Sequence, residues 1–121
     1  MVSPISVLVF GRDARLLETR RWLLEAAGYR VRTTAEYPEA IRILDAANIR
    51  LLILCHTLST EECGRVLTSV HRSQALKTLA LTAGMCGCHD RMGTEVLDAM
   101  EGPAKFVSTV DKLVRSTPTR N

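Results

Sequence analysis

No apolar stretch in this sequence approaches the roughly 20 residues of a membrane-spanning helix. Its first residues, Met1-Val2-Ser3-Pro4, lack the basic segment followed by an apolar one that marks a secretory leader, so the expected location is the cytoplasm and no membrane partner is expected. There is no run of basic residues either. The formal charge of +3 arises from cations scattered among acids, and a surface that neutralises several phosphates in a row is not indicated, so nucleic acid is not an expected partner. Long polar or repetitive tracts are also missing, which excludes a disordered chain. No phosphate-cradling loop of the Walker type occurs, since Phe10-Gly11-Arg12 holds a single glycine and no lysine follows. Serine and cysteine nucleophile signatures are absent too. Cys55 has His56 beside it, but neighbouring strand residues point to opposite faces and do not pair readily. The chain is therefore not expected to be an enzyme.

What is present suits one globular domain. A length of 121 residues with 46% hydrophobic and 24% charged residues can bury a core within a single unit. The expected domain spans residues 1–121, with its core at about 5–115 and a polar tail at 116–121. Four cysteines (Cys55, Cys63, Cys86, Cys88) in a chain without a secretory signal read as reduced core thiols or ligands before disulfides.

Two periods alternate along the chain. Val7-Leu8-Val9-Phe10 is a short apolar run closed by Gly11, which suits a strand covered on both faces of a parallel sheet. From Ala14 to Ala27, Leu16, Leu17, Leu23, Leu24 and Ala27 fall on one side of a 3.6-residue spiral that stops at Gly28. Arg20 intrudes on that stripe. The cost of burying an unpaired guanidinium places it at the stripe's edge with its head in water.

Tyr29 to Thr33 reads as a second strand, and Pro38, Ala40, Ile41, Leu44 and Ala47 give a second helix. Leu51-Leu52-Ile53-Leu54 is the most hydrophobic segment and is expected to be central. Ser59-Thr60-Glu61-Glu62 has capping-box spacing and opens a helix whose inward stripe is Cys63, Val66, Leu67 and Val70. His71 near its end is a favourable charge at a helix terminus. Leu79-Ala80-Leu81 forms a fourth strand ending at Thr82. Between Ala83 and Gly93 the glycines Gly84, Gly87 and Gly93 shorten or distort any helix. Val96 to Met100 is expected to be a fifth strand, because Gly102-Pro103 breaks the chain after it. Phe106, Val107, Val110, Leu113 and Val114 make a closing helix that begins at Pro103. Strand and helix in alternation imply an α/β domain, a parallel sheet with helices on both faces. In such sheets ligands bind in the crevice at the carboxyl ends of the strands.

These landmarks resemble the receiver domains of response regulators, the family of the chemotaxis response regulator. The resemblance runs from about Val7 to Val114. It rests on Val7-Leu8-Val9-Phe10, on Glu25-Ala26-Ala27-Gly28-Tyr29-Arg30-Val31, on Leu51 to Leu54, on Leu81-Thr82-Ala83 and on Gly102-Pro103, taken in order and spacing. It implies a doubly wound, flavodoxin-like fold with a five-stranded parallel sheet in the order 2-1-3-4-5. It also implies two-component (phosphorelay) signal transduction.

The resemblance equally shows what chemistry is missing. Receivers end the first strand with paired carboxylates that hold magnesium, a hard cation needing oxygen ligands. Gly11 and Arg12 occupy those positions, and Asp13 follows one place late. The phosphoacceptor aspartate maps onto Cys55, and the lysine that precedes a proline maps onto Gly102. Only Thr82 keeps the family's hydroxyl, and a β-branched threonine also suits a strand end without any role. Without countercharge in place, phosphoryl transfer is not supported. The resemblance thus implies a degenerate receiver with no cofactor, a non-catalytic interaction module. It would meet a signalling partner or a second copy through the region Met92–Val114.

One alternative is a metal- or thiol-redox-sensing domain on the same fold, using Cys55, His56, Cys86, Cys88 and His89 at one edge of the sheet. Against it, their spacings do not match a zinc knuckle, and cysteine is commonly a buried small hydrophobe. Arg12 also has two readings, an anion-binding residue at the crevice or a solvated arginine in the first turn of a helix.

Overall fold

The computed structural model of the chain describes residues 5–46, 49–55, 61, 64–66, 68, 76–82, 94–98 and 102–115. The apolar run that opens the chain forms β1 (Ser6–Phe10), and α1 (Ala14–Ala26), β2 (Arg30–Thr34), α2 (Tyr37–Ala46) and β3 (Ile49–Leu54) follow. Helical residues at 61, 64–66 and 68 precede β4 (Lys77–Thr82) and β5 (Thr94–Asp98). The closing helix, α3 here, is Pro103–Arg115.

All strand pairings are parallel and run in the order β2-β1-β3-β4-β5. Val7 to Phe10 lie opposite Leu51 to Leu54 in unbroken register, so the two most apolar strands share the centre of the sheet. Each residue of Val7–Phe10 and Leu51–Leu54 is fully buried. At roughly 1.5–3 kcal/mol per large apolar side chain taken out of water, burial of this strand pair contributes heavily to the stability of the fold.

Because side chains alternate along a strand, the sheet divides the core into two clusters. One packs Val7, Val9, Leu51, Ile53, Leu79 and Leu81 against Leu17 and Leu24 of α1 and Phe106, Val110 and Val114 of α3. The other packs Leu8, Phe10, Leu52 and Leu54 against Ala40 and Ile43 of α2 and against Val66.

Local chemistry sets the element ends. At the C-terminus of α1, Gly28 adopts φ +100°, its amide donates to the Glu25 carbonyl at 3.0 Å, and the Tyr29 amide donates to the Leu24 carbonyl at 3.1 Å. This paired closure satisfies two orphan carbonyls and needs a left-handed residue, which glycine supplies at no steric cost. Arg30 then donates to the Ile5 carbonyl at 2.9 Å and starts the β1–β2 ladder. On that edge strand Arg30 and Arg32 are exposed, and their charges discourage pairing with another chain.

Several expectations need adjusting. β2 begins at Arg30 and ends at Thr34, β3 starts earlier than Leu51, at Ile49, and β5 occupies Thr94–Asp98 instead of Val96–Met100. Ala27 is an exposed C-cap outside the apolar stripe of α1, and in α2 Ile43 is buried although it lies outside the expected stripe. The expected helix stripe at Cys63, Leu67 and Val70, the residues Ser59, Thr60 and Glu62, His71 and the tail 116–121 lie outside the described residues.

The largest correction concerns Arg20. It is only 8% exposed, not at the stripe's edge in water. The reason is angular: Leu17, Arg20 and Leu24, spaced three and four apart, form the inward line of α1, and Leu16 and Leu23 flank it half-buried.

Candidate functional site

The candidate positions gather at the carboxyl ends of the strands. Phe10 accepts a 2.9 Å hydrogen bond from the Cys55 amide, and Gly11 donates to the Thr34 carbonyl at 3.1 Å. These bonds hold the residues after β1 and β3 side by side. Thr82 is the last residue of β4, in register with Asp98 at the end of β5. Gly102 stands just before α3 with φ +99° and accepts from the Phe106 amide at 3.1 Å.

Gly102 therefore holds a conformation that costs a residue with a side chain on the order of 1–2 kcal/mol. Space is not the constraint, since a β-carbon there would meet nothing within 4 Å. A lysine at this position would have to be held against its own backbone preference.

Among the described residues, carboxylates are sparse beside the ends of β1 and β3. Gly11 is buried and offers no ligand. Asp13 is the N-cap of α1, and its Oδ1 accepts from the amides of Arg15 at 3.0 Å and Leu16 at 3.3 Å. An N-cap in this arrangement satisfies orphan amides of the first turn, so one of its two oxygens is already engaged. Among the described residues no group of three His, Cys, Asp or Glu could hold a metal ion.

Arg12 precedes the N-cap and so does not sit in the first turn of the helix. Its exposed side chain reaches across to the β2–α2 connection and donates from Nη1 to the Ala35 carbonyl at 2.7 Å. There Thr34 closes the turn, donating to Glu39 Oε1 at 2.7 Å and accepting from the Glu36 amide at 3.1 Å.

Cys55 is a free thiol, 1% exposed, and belongs to the core cluster beneath α1 and α3. Burial pushes its pKa up, and the Arg20 guanidinium beside it pulls the other way by charge and hydrogen bond, without reversing the rise. A thiol held protonated is a poor nucleophile and a poor metal ligand, since both roles need the thiolate. His56, Cys86, Cys88 and His89, the other members of the metal or redox set, lie outside the described residues. The structure thus brings Gly11, Cys55 and the end of β4 to one edge, turns Arg12 toward Ala35, and adds a residue not foreseen there. That residue is Arg20, whose signal was its place midway between Leu17 and Leu24.

No protein-family model matches this chain, and no curated protein matches it. Solved structures do. A response regulator from Thermotoga maritima superposes with a TM-score of 0.82 at 16% identity, covering 94% of this chain and 100% of that one. A CheY-like receiver domain protein from Methanospirillum hungatei gives 0.78 at 16% identity over 93% of this chain and 95% of that one. The chemotaxis protein CheY4 of Vibrio cholerae gives 0.76 at 18% identity over 92% and 99%. The fold is accordingly that of CheY-like receiver domains, a flavodoxin-like parallel sheet with helices packed against it.

Proposed function

We propose that the chain is a receiver domain of two-component signalling that does not accept a phosphoryl group and acts as a non-catalytic interaction module. One observation carries this reading. The residue after β3, where the family resemblance expects an acceptor carboxylate, is Cys55, a buried thiol whose pKa is raised. The missing carboxylates at Gly11 and Arg12 and the left-handed Gly102 in place of lysine support it.

The interaction face is the outer side of α3 within the region Met92–Val114, together with Arg115. Phe106, Val110 and Val114 face the core, which leaves Lys105, Ser108, Lys112 and Arg115 exposed along one stripe. Lys112 and Arg115 also sit in the last turn, where cations complement the helix dipole. Two copies of such a stripe repel, so the partner is a signalling protein with an acidic surface in preference to a second copy.

Exposure to acetyl phosphate with magnesium, followed by intact mass, tests the loss of phosphoacceptor chemistry. The expected result is an unchanged mass. A stable gain of about 80 Da on an acidic residue would overturn the reading.

A further inference from the structure

A cavity of about 210 Å³ lies between α1 and the start of α3, beside the ends of β4 and β5, and Arg20 lines it. Its walls are Leu16, Leu23, Leu81, Leu97 and Phe106, with Gly102 and Pro103 at the start of α3. Arg20 is more than nine-tenths buried, and its Nη1 has no hydrogen-bond partner among the described residues. A guanidinium taken out of water without a counter-ion is among the costlier arrangements a core can hold. Its neighbour Cys55 is held as the neutral thiol, so it supplies no negative charge. The positive end of the α3 dipole at Pro103 adds to the positive charge of Arg20 in the cavity.

We propose that this cavity binds a small amphipathic monocarboxylate, its carboxylate on Arg20 and its apolar body against Leu16, Leu23, Leu97 and Phe106. The ligand class follows from the lining. An engineered apolar cavity of about 150 Å³ accepts benzene, so the space here admits an aromatic ring or short alkyl chain together with a carboxylate. A guanidinium pairs with a carboxylate in a planar fork, a geometry that a neutral ligand cannot exploit. A phosphate ester would bring more charge than one cation can meet, and the hydroxyl at the wall, that of Thr19, already donates to the Arg15 carbonyl at 3.0 Å. This site is independent of phosphoacceptor chemistry, and gain of a phosphoryl group elsewhere would leave it untouched.

Benzoate is the probe, with benzamide as its neutral twin, titrated into the full chain and followed by amide NMR and thermal melting. Benzoate is expected to shift the amides of Leu16, Thr19, Leu97 and Phe106 saturably and to raise the melting temperature. Benzamide is expected to bind at least about tenfold more weakly, the loss of one charge-assisted pair. Arg20→Met keeps the side-chain volume and is expected to abolish the preference for benzoate. Leu23→Trp fills the cavity while keeping Arg20, and is expected to abolish binding of both compounds in a folded protein. Equal affinity for benzoate and benzamide, benzoate binding undiminished in Leu23→Trp, or no saturable shift in the wild-type chain would each overturn the proposal.

Discussion

The two faces of the sheet are packed by different rules. Under α2, Leu8, Phe10, Ala40, Ile43, Ile49, Leu52, Leu54 and Val66 form a cluster without a charged member. Under α1 and α3 the cluster is larger, yet it contains the thiol of Cys55 and lies against the buried Arg20. A face whose buried polar members, among the described residues, are the neutral Thr34 and Thr78 is explained mainly by transfer free energy and close packing. A guanidinium set among leucines is not, since a hydrophobic residue of similar volume is often neutral or stabilising there. The face that serves folding alone and the face that retains a costly charge are thus separated by one strand's thickness. The second is where a ligand or partner has something to act on.

The comparison breaks most visibly by hollowing the apolar face. Leu52→Ala removes a fully buried side chain from a central strand. It is expected to lower the unfolding free energy by about 3 kcal/mol, as large-to-small core substitutions do. Urea denaturation of both chains measures it. A loss under about 1 kcal/mol would mean that the face is loosely packed and that the contrast between faces is overstated.

The opposite face is expected to respond with the opposite sign. Arg20→Met replaces a buried charge lacking a partner at Nη1 by an apolar side chain of similar length, and stability should rise by about 1–3 kcal/mol in the absence of ligand. The same change removes the positive charge that pulls the Cys55 pKa down, so that pKa should climb further and reaction of the thiol with disulfide reagents at pH 8 should slow. A destabilised variant would show that Arg20 is held by interactions worth more than its desolvation.

The same contrast explains what could be seen in the sequence. Strands β1 and β3 were legible because a sheet covered on both faces demands uninterrupted apolar residues, and Val7–Phe10 and Leu51–Leu54 are such runs. β5 was displaced by two residues because Thr94 and Glu95 carry no apolar signal, and pairing with Thr78 and Leu79 of β4 decides their conformation. Arg20 was misplaced because a general cost was allowed to override a specific angle: the helix geometry set by its leucines put position 20 inward. Gly11, Cys55 and Gly102 were singled out by the family resemblance, and their places after β1, after β3 and before α3 follow from the connectivity. Which face Cys55 would share, and that Asp13 would cap α1, depended on backbone geometry that spacing alone does not express.

The smallest effect concerns how α3 is tied to the face it covers. Tyr29, just before β2, donates its hydroxyl to the Asp111 carboxylate, a contact between residues 82 apart in the chain. Burial first, then the hydrogen bond and the charge of Asp111, push the Tyr29 pKa up to about 12, against a smaller pull from Arg115. The folded state therefore favours the protonated phenol. Its contribution is fully present below the ordinary tyrosine value near pH 10 and is lost as pH rises through about 12. Tyr29→Phe is expected to lower stability by about 1 kcal/mol at pH 8, the worth of one partly exposed hydrogen bond. Between pH 10 and 12 the wild-type chain should lose more stability than the variant, so the gap between them narrows. Denaturation curves of both chains at pH 8 and pH 11 check this. A gap that stays constant across that range would mean that the phenol titrates alike in the folded and unfolded chains, and that the Asp111 contact does little to hold α3 against the sheet.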